Sequence, residues 1–450
     1  MGHNFFSEGE VCRDAAAVST PDYFQLFINY CLVIPFIFVF MRAIAFFLLY
    51  LMLNQALAQR KTNALILEHS AEIHSINPAD SVYDDLEVLG SAIGDSRIVM
   101  LGEQSHGDAA AFQAKTRIIK YLHEKKGFNV LVFESDFYGL NEAWEDYFIR
   151  DSSVEILKHN IYSIWSGCNY VSPLFDYIDD SKSMAPLYVA GMDTRHSLRY
   201  SRKHYSDEFK HHFKDFPEPR ADSSSFQHFI DLLTELIRNE YKSTASPEGK
   251  DFFVDYLNKL KEEHTADDFW KQELNNLAAF ANNSWKLGKP ELNRDAIMAQ
   301  NLLWIYRHKY KGEKLIVWAH NGHVARDLES FKTKKGMVLF PDYTPSLGDV
   351  IHRELSDSLY SIGFVSNEGF SRFAAWDTSY SIGPYNGKNY ERLMADQGYS
   401  YAFTDLRAMP AKSIFYMRGI MPITPFKKEW KNTYDGVFFI REMYGCGDPK

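Results

Sequence analysis

Four stretches of this 450-residue chain share one pattern: a short run rich in Val, Ile and Leu that stops abruptly at acids, histidines or amides. Residues 97–101 end in Gly102-Glu103-Gln104-Ser105-His106-Gly107, and residues 129–133 end in Glu134-Ser135-Asp136. Residues 187–190 end in Gly191-Met192-Asp193, and residues 314–319 end in His320-Asn321-Gly322-His323. Continuous apolar runs suit strands covered on both faces. Helical spacing lies between them, as at Phe112, Ile118, Ile119 and Leu122, and at Leu302, Leu303, Ile305 and Tyr306. This alternation predicts an α/β fold with a mostly parallel sheet flanked by helices. Such sheets gather ligands at the carboxyl ends of their strands, where all four polar clusters fall.

Further strands are expected at residues 361–365 and 436–440. Residues 201–289 read instead as helices, with Phe226, Phe229, Ile230, Leu233, Ile237 and Tyr241 at helical spacing, then Phe253, Tyr256, Leu257 and Leu260, then Trp270, Leu274, Leu277 and Ala281. Pro217, Pro219 and Ser246-Pro247-Glu248-Gly249 punctuate them. The organisation expected is a leader over 1–58, an α/β catalytic body over 59–200 and 290–450, and a helical insertion over 201–289.

The leader follows from the uncharged run Ala43-Ile44-Ala45-Phe46-Phe47-Leu48-Leu49-Tyr50-Leu51-Met52-Leu53 after Arg42. Eleven residues are too few to span a bilayer but fit the apolar part of a secretory signal. Ala56-Leu57-Ala58 supplies a small-x-small cleavage pattern. Export to the periplasm or outside the cell, with cleavage after Ala58, is the expectation. Met41-Arg42 is an alternative start, which would make residues 1–40 an over-extended leader. In the competing reading, residues 23–53 stay attached as a membrane anchor, and only then is a membrane a partner. Cys12 and Cys31 leave with the leader, so Cys168 and Cys446 remain, free to pair outside the cytosol or to stay reduced.

Lys and Arg number 49 against 59 acids, a net charge of -10, which argues against a nucleic-acid surface. No Gly-x-Ser-x-Gly elbow, Gly-rich phosphate loop, Gly-x-Gly-x-x-Gly or His-Glu-x-x-His occurs, so serine hydrolase, nucleotide-binding and zincin chemistry fall behind. Glu103 and His106, three apart in a glycine-bounded turn, are an imidazole base and its carboxylate orienter, a pair suited to taking a proton from water. A hydrogen-bonded loop histidine is the bland alternative. His320 and His323 flank Asn321, so imidazoles and an amide can face one crevice and donate to an oxyanion. Glu134 closes an apolar strand, where a carboxylate needs a partner or a cleft. Asp193 suits a helix cap as well as a ligand contact. Arg294 opens a helix, from which it reaches either a substrate carbonyl or carboxylate or a surface ion pair.

Together, Leu101-Gly102-Glu103-Gln104-Ser105-His106-Gly107, Phe133-Glu134, Gly191-Met192-Asp193, Arg294-Asp295 with Met298, and Val317-Trp318-Ala319-His320-Asn321-Gly322-His323 resemble the erythromycin esterase family over about residues 81–445. The resemblance implies an α/β body with a helical insertion, hydrolysing an ester or lactone by water activated at histidine, with no metal or other cofactor. It makes His106 the base, Glu103 and Glu134 its supporting acids, and His320 and His323 the rest of the polar crevice. The chain departs from the family pattern at Ala110 and Ala111, where a Glu-Phe pair is usual, and at Lys115, where an arginine is usual. Lysine cannot make a bidentate contact, which leaves the substrate open and macrolides unassumed. The expected partner is a small-molecule ester or lactone, bound with help from Lys115, Asp193, Arg294 and Asn321; no stable protein partner is evident. Two other readings use the same residues: a hydrolase holding zinc or manganese in the His/Glu cluster, and an exported ligand-binding protein without catalysis.

Overall fold

The computed structural model describes the backbone of residues 21–214, 223–266, 268–289, 292–332, 344–372, 379–384 and 387–447. The first 20 residues of the expected leader, and Pro217 and Pro219, lie outside the described residues. Two compact units are distinguished, residues 1–64 and 65–450. A 48-residue helix runs from Pro21 to Glu68, ending within the second unit, and includes the apolar run 43–53. Among the described residues no helix is long and apolar enough to cross a membrane.

The second unit is built on eleven strands: β1 (Ser70–Ile73), β2 (Ile98–Leu101), β3 (Phe128–Asp136), β4 (Tyr188–Asp193), β5 (Lys314–Trp318), β6 (Leu359–Arg372), β7 (Ser379–Ile382), β8 (Tyr401–Asp405), β9 (Ile414–Met421), β10 (Thr424–Glu429) and β11 (Gly436–Met443). Nine form one sheet in the order β1-β8-β11-β6-β2-β5-β3-β4, with β7 paired to β6, while β9 and β10 make a separate hairpin. Along the path from β11 to β4 every pairing is parallel; β7 runs antiparallel to β6, and β8 and β1 add an antiparallel edge. The fold is therefore α/β with a mostly parallel sheet flanked by helices.

Strand alternation explains why the runs contain so few polar residues. Val99 and Leu101 of β2, Leu131 and Phe133 of β3, and Ile316 and Trp318 of β5 enter one core. Their neighbours Ile98, Met100, Val130, Val132, Leu315 and Val317 enter the core on the other face. Both faces being covered, alternate positions cannot be polar. The helix Ala109–Lys126 joins the first core and Arg294–Trp304 the second. The helical stretch contains Arg199–Phe213, Ser224–Asn239, Pro247–Glu263 and Phe269–Trp285. Its apolar faces, with Phe209, Phe229, Leu257 and Leu277, continue the first core instead of enclosing one of their own.

Because β2, β5, β3 and β4 are consecutive neighbours in the sheet, their carboxyl ends bring Glu103, His320, Glu134 and Asp193 into one row. The register of β3 against β4 shifts between Phe133 and Asp136, so Glu134 emerges at an irregularity in the ladder, where a side chain can be re-aimed. The glycines after β2 serve close packing, not close approach to a ligand. A Cβ on Gly102 would lie 2.0 Å from Asn321 Oδ1, and one on Gly107 would lie 1.9 Å from the Arg372 carbonyl oxygen. Gly107→Ala must push apart two backbone segments, and a loss of about 1–3 kcal/mol in unfolding free energy is expected. Urea unfolding at equilibrium measures it; an unchanged midpoint would show that the loop yields freely.

Candidate active site

The turn after β2 carries a buried carboxylate with three donors around it. Glu103 Oε1 accepts from His106 Nδ1 at 3.2 Å and from Trp165 Nε1 at 3.0 Å, while Oε2 accepts from Lys115 Nζ. Burial alone would raise the Glu103 carboxyl, but the Lys115 ammonium, then His106, hold it below its ordinary value. Burial pulls Lys115 down to about 8 against the pull of Glu103. An ionised Glu103 can only accept, so Nδ1 of His106 must carry the proton. In the neutral ring Nε2 is then the nitrogen with the lone pair, and it has no hydrogen-bond partner among the described residues. The His106 ring is partly exposed and packs edge-on against Trp165, with centroids 5.4 Å apart.

His320 lies next to it, with ring centroids 5.0 Å apart, and His323 follows at 6.4 Å from His320. The two imidazoles of this turn are in opposite states. The Gly322 amide donates to His320 Nδ1 at 3.0 Å, and Nε2 donates to the Gln104 carbonyl at 3.0 Å. Burial, then the neighbouring His106, lowers His320 to about 4, so it is neutral with one fixed tautomer. His320 has no N–H left for an oxyanion, which its position in the turn had suggested. His323 sits between Asp295, 2.9 Å from Nδ1, and Glu134, 3.1 Å from Nε2. Burial opposes its charge, but Asp295 and Glu134 outweigh it and raise His323 to about 10.

Arg294 binds these acids together. Asn293 accepts from the amides of Asp295 and Ala296 as the helix cap, which sets Arg294 at the first helical position. Its guanidinium grips Asp193 in a fork, Nε to Oδ1 at 2.8 Å and Nη2 to Oδ2 at 2.6 Å, and reaches Glu134 Oε1 at 2.8 Å. Glu134 Oε2 accepts from the His320 amide at 3.1 Å. Burial would raise Glu134, but His323 and then Arg294 hold its carboxyl well below the carboxylate range.

The row of side chains opens on a cavity of about 660 Å³ whose wall includes His106, Glu134, Tyr162, Arg195, Arg294 and His323. Not every residue expected at the substrate reaches it. Lys115 is wholly buried on Glu103, with its ammonium 4.3 Å above the Trp318 ring. Asn321 is buried behind β2, donating to the carbonyls of Phe364 and Gly419 and accepting from the Phe364 amide. Asp193 is buried, with its oxygens on Arg294 and on the Tyr162 hydroxyl, 2.8 Å away. All three act through neighbours, since their polar atoms are already taken. Arg294 lines the cavity and is engaged in a buried ion pair. Among the described residues no group of three or more His, Cys, Asp or Glu is arranged to hold a metal ion. Both ring nitrogens of His320 and of His323 are committed to protein partners.

Trp165 and Tyr162 complete the site without having been singled out, and Asp295, quoted with Arg294 in the resemblance, had been given no role. Trp165 stands three residues before Cys168, which is disulfide-bonded to Cys446. The Cys446 amide donates to the Gly107 carbonyl at 2.9 Å, and the Ala109 amide to the Tyr444 carbonyl at 2.9 Å. The disulfide thus ties the segment carrying Trp165 to the chain end that clasps the His106 turn.

The charge assignment is open to measurement. In ¹⁵N spectra of the imidazoles at pH 7.5, His323 is expected as a doubly protonated ring and His320 as a neutral ring protonated at Nε2. Because His323 is raised relative to the unfolded chain, its contribution to stability is complete below pH ~6.5 and is lost as pH rises through about 10. A neutral His323 at pH 7.5 would remove the cation from this wall.

The family model described as erythromycin esterase matches residues 123–443. The YbfO protein of Bacillus subtilis (strain 168) is 27% identical over 337 residues, covering 68% of this chain and 73% of its own. Erythromycin esterase type II of Escherichia coli is 22% identical over 407 residues, 82% of this chain and 94% of its own. Among solved structures, a succinoglycan biosynthesis protein superposes with a TM-score of 0.68 at 18% identity, over 86% of this chain and 98% of that one. A mutant erythromycin esterase in its open conformation gives 0.59 at 15% identity, over 84% and 98%. At these identities the superpositions speak to the fold alone.

Proposed function

Because this chain belongs to the erythromycin esterase family, a hydrolase family, we propose that it cleaves an ester or lactone by water activated at His106. The observation that carries the reading is the His106 imidazole at the cavity wall, its Nδ1–H held on a buried, ionised Glu103 and its Nε2 left open. Nε2 takes a proton from water as the oxygen attacks the carbonyl carbon. The imidazolium then returns that proton to the departing alkoxide as the C–O bond breaks. Glu103 fixes the tautomer and offsets the imidazolium charge, while Lys115 and Trp165 position Glu103. Arg294 and His323 share the same wall, their charges offset by Asp193, Glu134 and Asp295.

Export belongs to the same proposal. The Cys168–Cys446 disulfide supports a working compartment outside the reducing cytosol, reached by way of the apolar leader and cleavage after Ala58.

A panel of aliphatic esters, aryl esters and lactones, assayed with the mature chain, tests the activity. Turnover of at least one class by catalytic amounts of protein is expected. Tight binding of a panel member with no turnover of any would favour a ligand-binding protein and end the esterase reading.

A further inference from the structure

The cavity in front of His106 shares one wall residue, His159, with a second cavity of about 350 Å³. Both are bounded by the same two stretches of chain. Residues 155–166 form one side, and the segment after β4, residues 195–204, forms the other. The two hollows adjoin at His159, the first holding the reactive histidine, and together make up a candidate cleft.

Its walls hold three carboxylates, and each already has a cation. Glu134 is held by Arg294 and His323, Glu155 by Lys158, and Asp146 by Arg150. Arg195, Arg199 and Lys203 are not matched in this way. Arg195 lies in the wall of the first cavity, in a long ion pair with Glu240 at 4.0 Å and in the field of Asp193, which is already forked on Arg294. Its Nε is buried without a hydrogen-bond partner, and its guanidinium lies 5.7 Å from the Tyr241 ring centre. Arg199 and Lys203, one helical turn apart on the helix Arg199–Phe213, line the second cavity and join no ion pair among the described residues. Arg195, Arg199 and Lys203 are thus cations in these walls whose side chains make no hydrogen bond among the described residues.

We propose that this cleft selects an anionic substrate, an ester whose far end carries a carboxylate. The scissile carbonyl sits at His106 and the first carboxylate sits on the Arg195 guanidinium. A longer polyacid continues along the cleft to Arg199 and Lys203. A guanidinium offers a carboxylate two parallel N–H donors, and Arg195 has donors to give. The proposal rests on the esterase reading for the chemistry, but the recognition of the anion stands on the cleft alone.

Two measurements on the mature, disulfide-bonded chain test it, and they separate the two claims. The first needs no turnover. Thermal unfolding is followed with glutarate, adipate and suberate, and with the corresponding neutral diamides, at constant ionic strength. The diacids are expected to raise the wild-type melting temperature and the diamides are not. The shift is expected to shrink in Arg195→Gln and vanish in the variant that also carries Arg199→Gln and Lys203→Gln. The second compares 4-nitrophenyl hemiesters of the same diacids with their amide-capped counterparts. A preference of about tenfold in kcat/KM for the free carboxylate is expected at low salt, falling toward one in about 0.5 M NaCl and in Arg195→Gln. Arg195→Lys, which keeps the charge and loses the fork, should retain part of it. Diacid stabilisation that disappears in the variants, with no ester cleaved, would uphold the anion cleft and end the esterase reading. Cleavage indifferent to charge, or equal stabilisation of wild type and triple variant, would overturn the cleft.

Discussion

Replacing His106 by alanine is expected to lower kcat for any ester the chain cleaves by about 10²–10⁴, the usual range for loss of a positioned general base. That corresponds to roughly 3–5 kcal/mol of transition-state stabilisation. The effect should fall on kcat more than on KM, because His106 contributes one partly exposed ring to a large cavity wall, and its role begins when water attacks. Folding should survive, since among the described residues the ring's single polar contact is with Glu103, and Glu103 keeps Lys115 and Trp165 when it is lost. Steady-state kinetics with a melting curve of the same preparation makes the comparison. A variant that melts like wild type and turns over like wild type would exclude His106 as the base.

Glu103→Gln should damage both activity and fold. The neutral amide no longer balances the buried Lys115 ammonium, and breaking a buried pair by removing one partner costs about 3–5 kcal/mol. A glutamine can also turn its NH₂ toward His106 Nδ1, which then has to accept. The proton moves to Nε2 and the base is blocked, with an expected loss of about 10²–10⁴ in kcat. The two effects can be separated. Adding Lys115→Met removes the orphaned charge and should restore much of the stability without restoring the rate. If the double variant instead regained the rate, Glu103 would be acting through packing and not through the His106 tautomer. Denaturant unfolding and kcat, measured on the same three proteins, decide it.

The parallel strands were legible because burial on both faces leaves little room for polar residues. The runs at 97–101, 129–133, 187–190 and 314–319 became β2, β3, β4 and β5, whose ends form the polar row. The antiparallel edge was not. β1 is four residues long and only partly buried, and β8, five residues long and buried at its centre, has an apolar run of just three residues, Tyr401-Ala402-Phe403. The β9–β10 hairpin, with alternating exposed positions such as Ile414 and Tyr416, was missed as well. At the site, sequence spacing marks the residues that stand at strand ends but not which of them meet. Lys115 lies one helix away from Glu103, and its wholly buried ammonium looks from sequence like a lysine open to substrate. Trp165 falls among short turns between residues 155 and 171 that have no period to read. Asp295 stands beside Arg294 in the chain but pairs with His323, 28 residues on. That pairing, with Glu134, sets His323 apart in charge from His320, which three residues of sequence could not show.

The most direct test of a water-activating His106 is chemical rescue. His106→Gly leaves an imidazole-sized gap beside Glu103, and hydrolysis of a good ester by this variant should rise with added imidazole and saturate as the gap fills. The same addition should leave Glu103→Gln and wild type unaffected. A His106→Gly protein that hydrolyses the ester at the wild-type rate, or gains nothing from imidazole while wild type is active, would contradict the account.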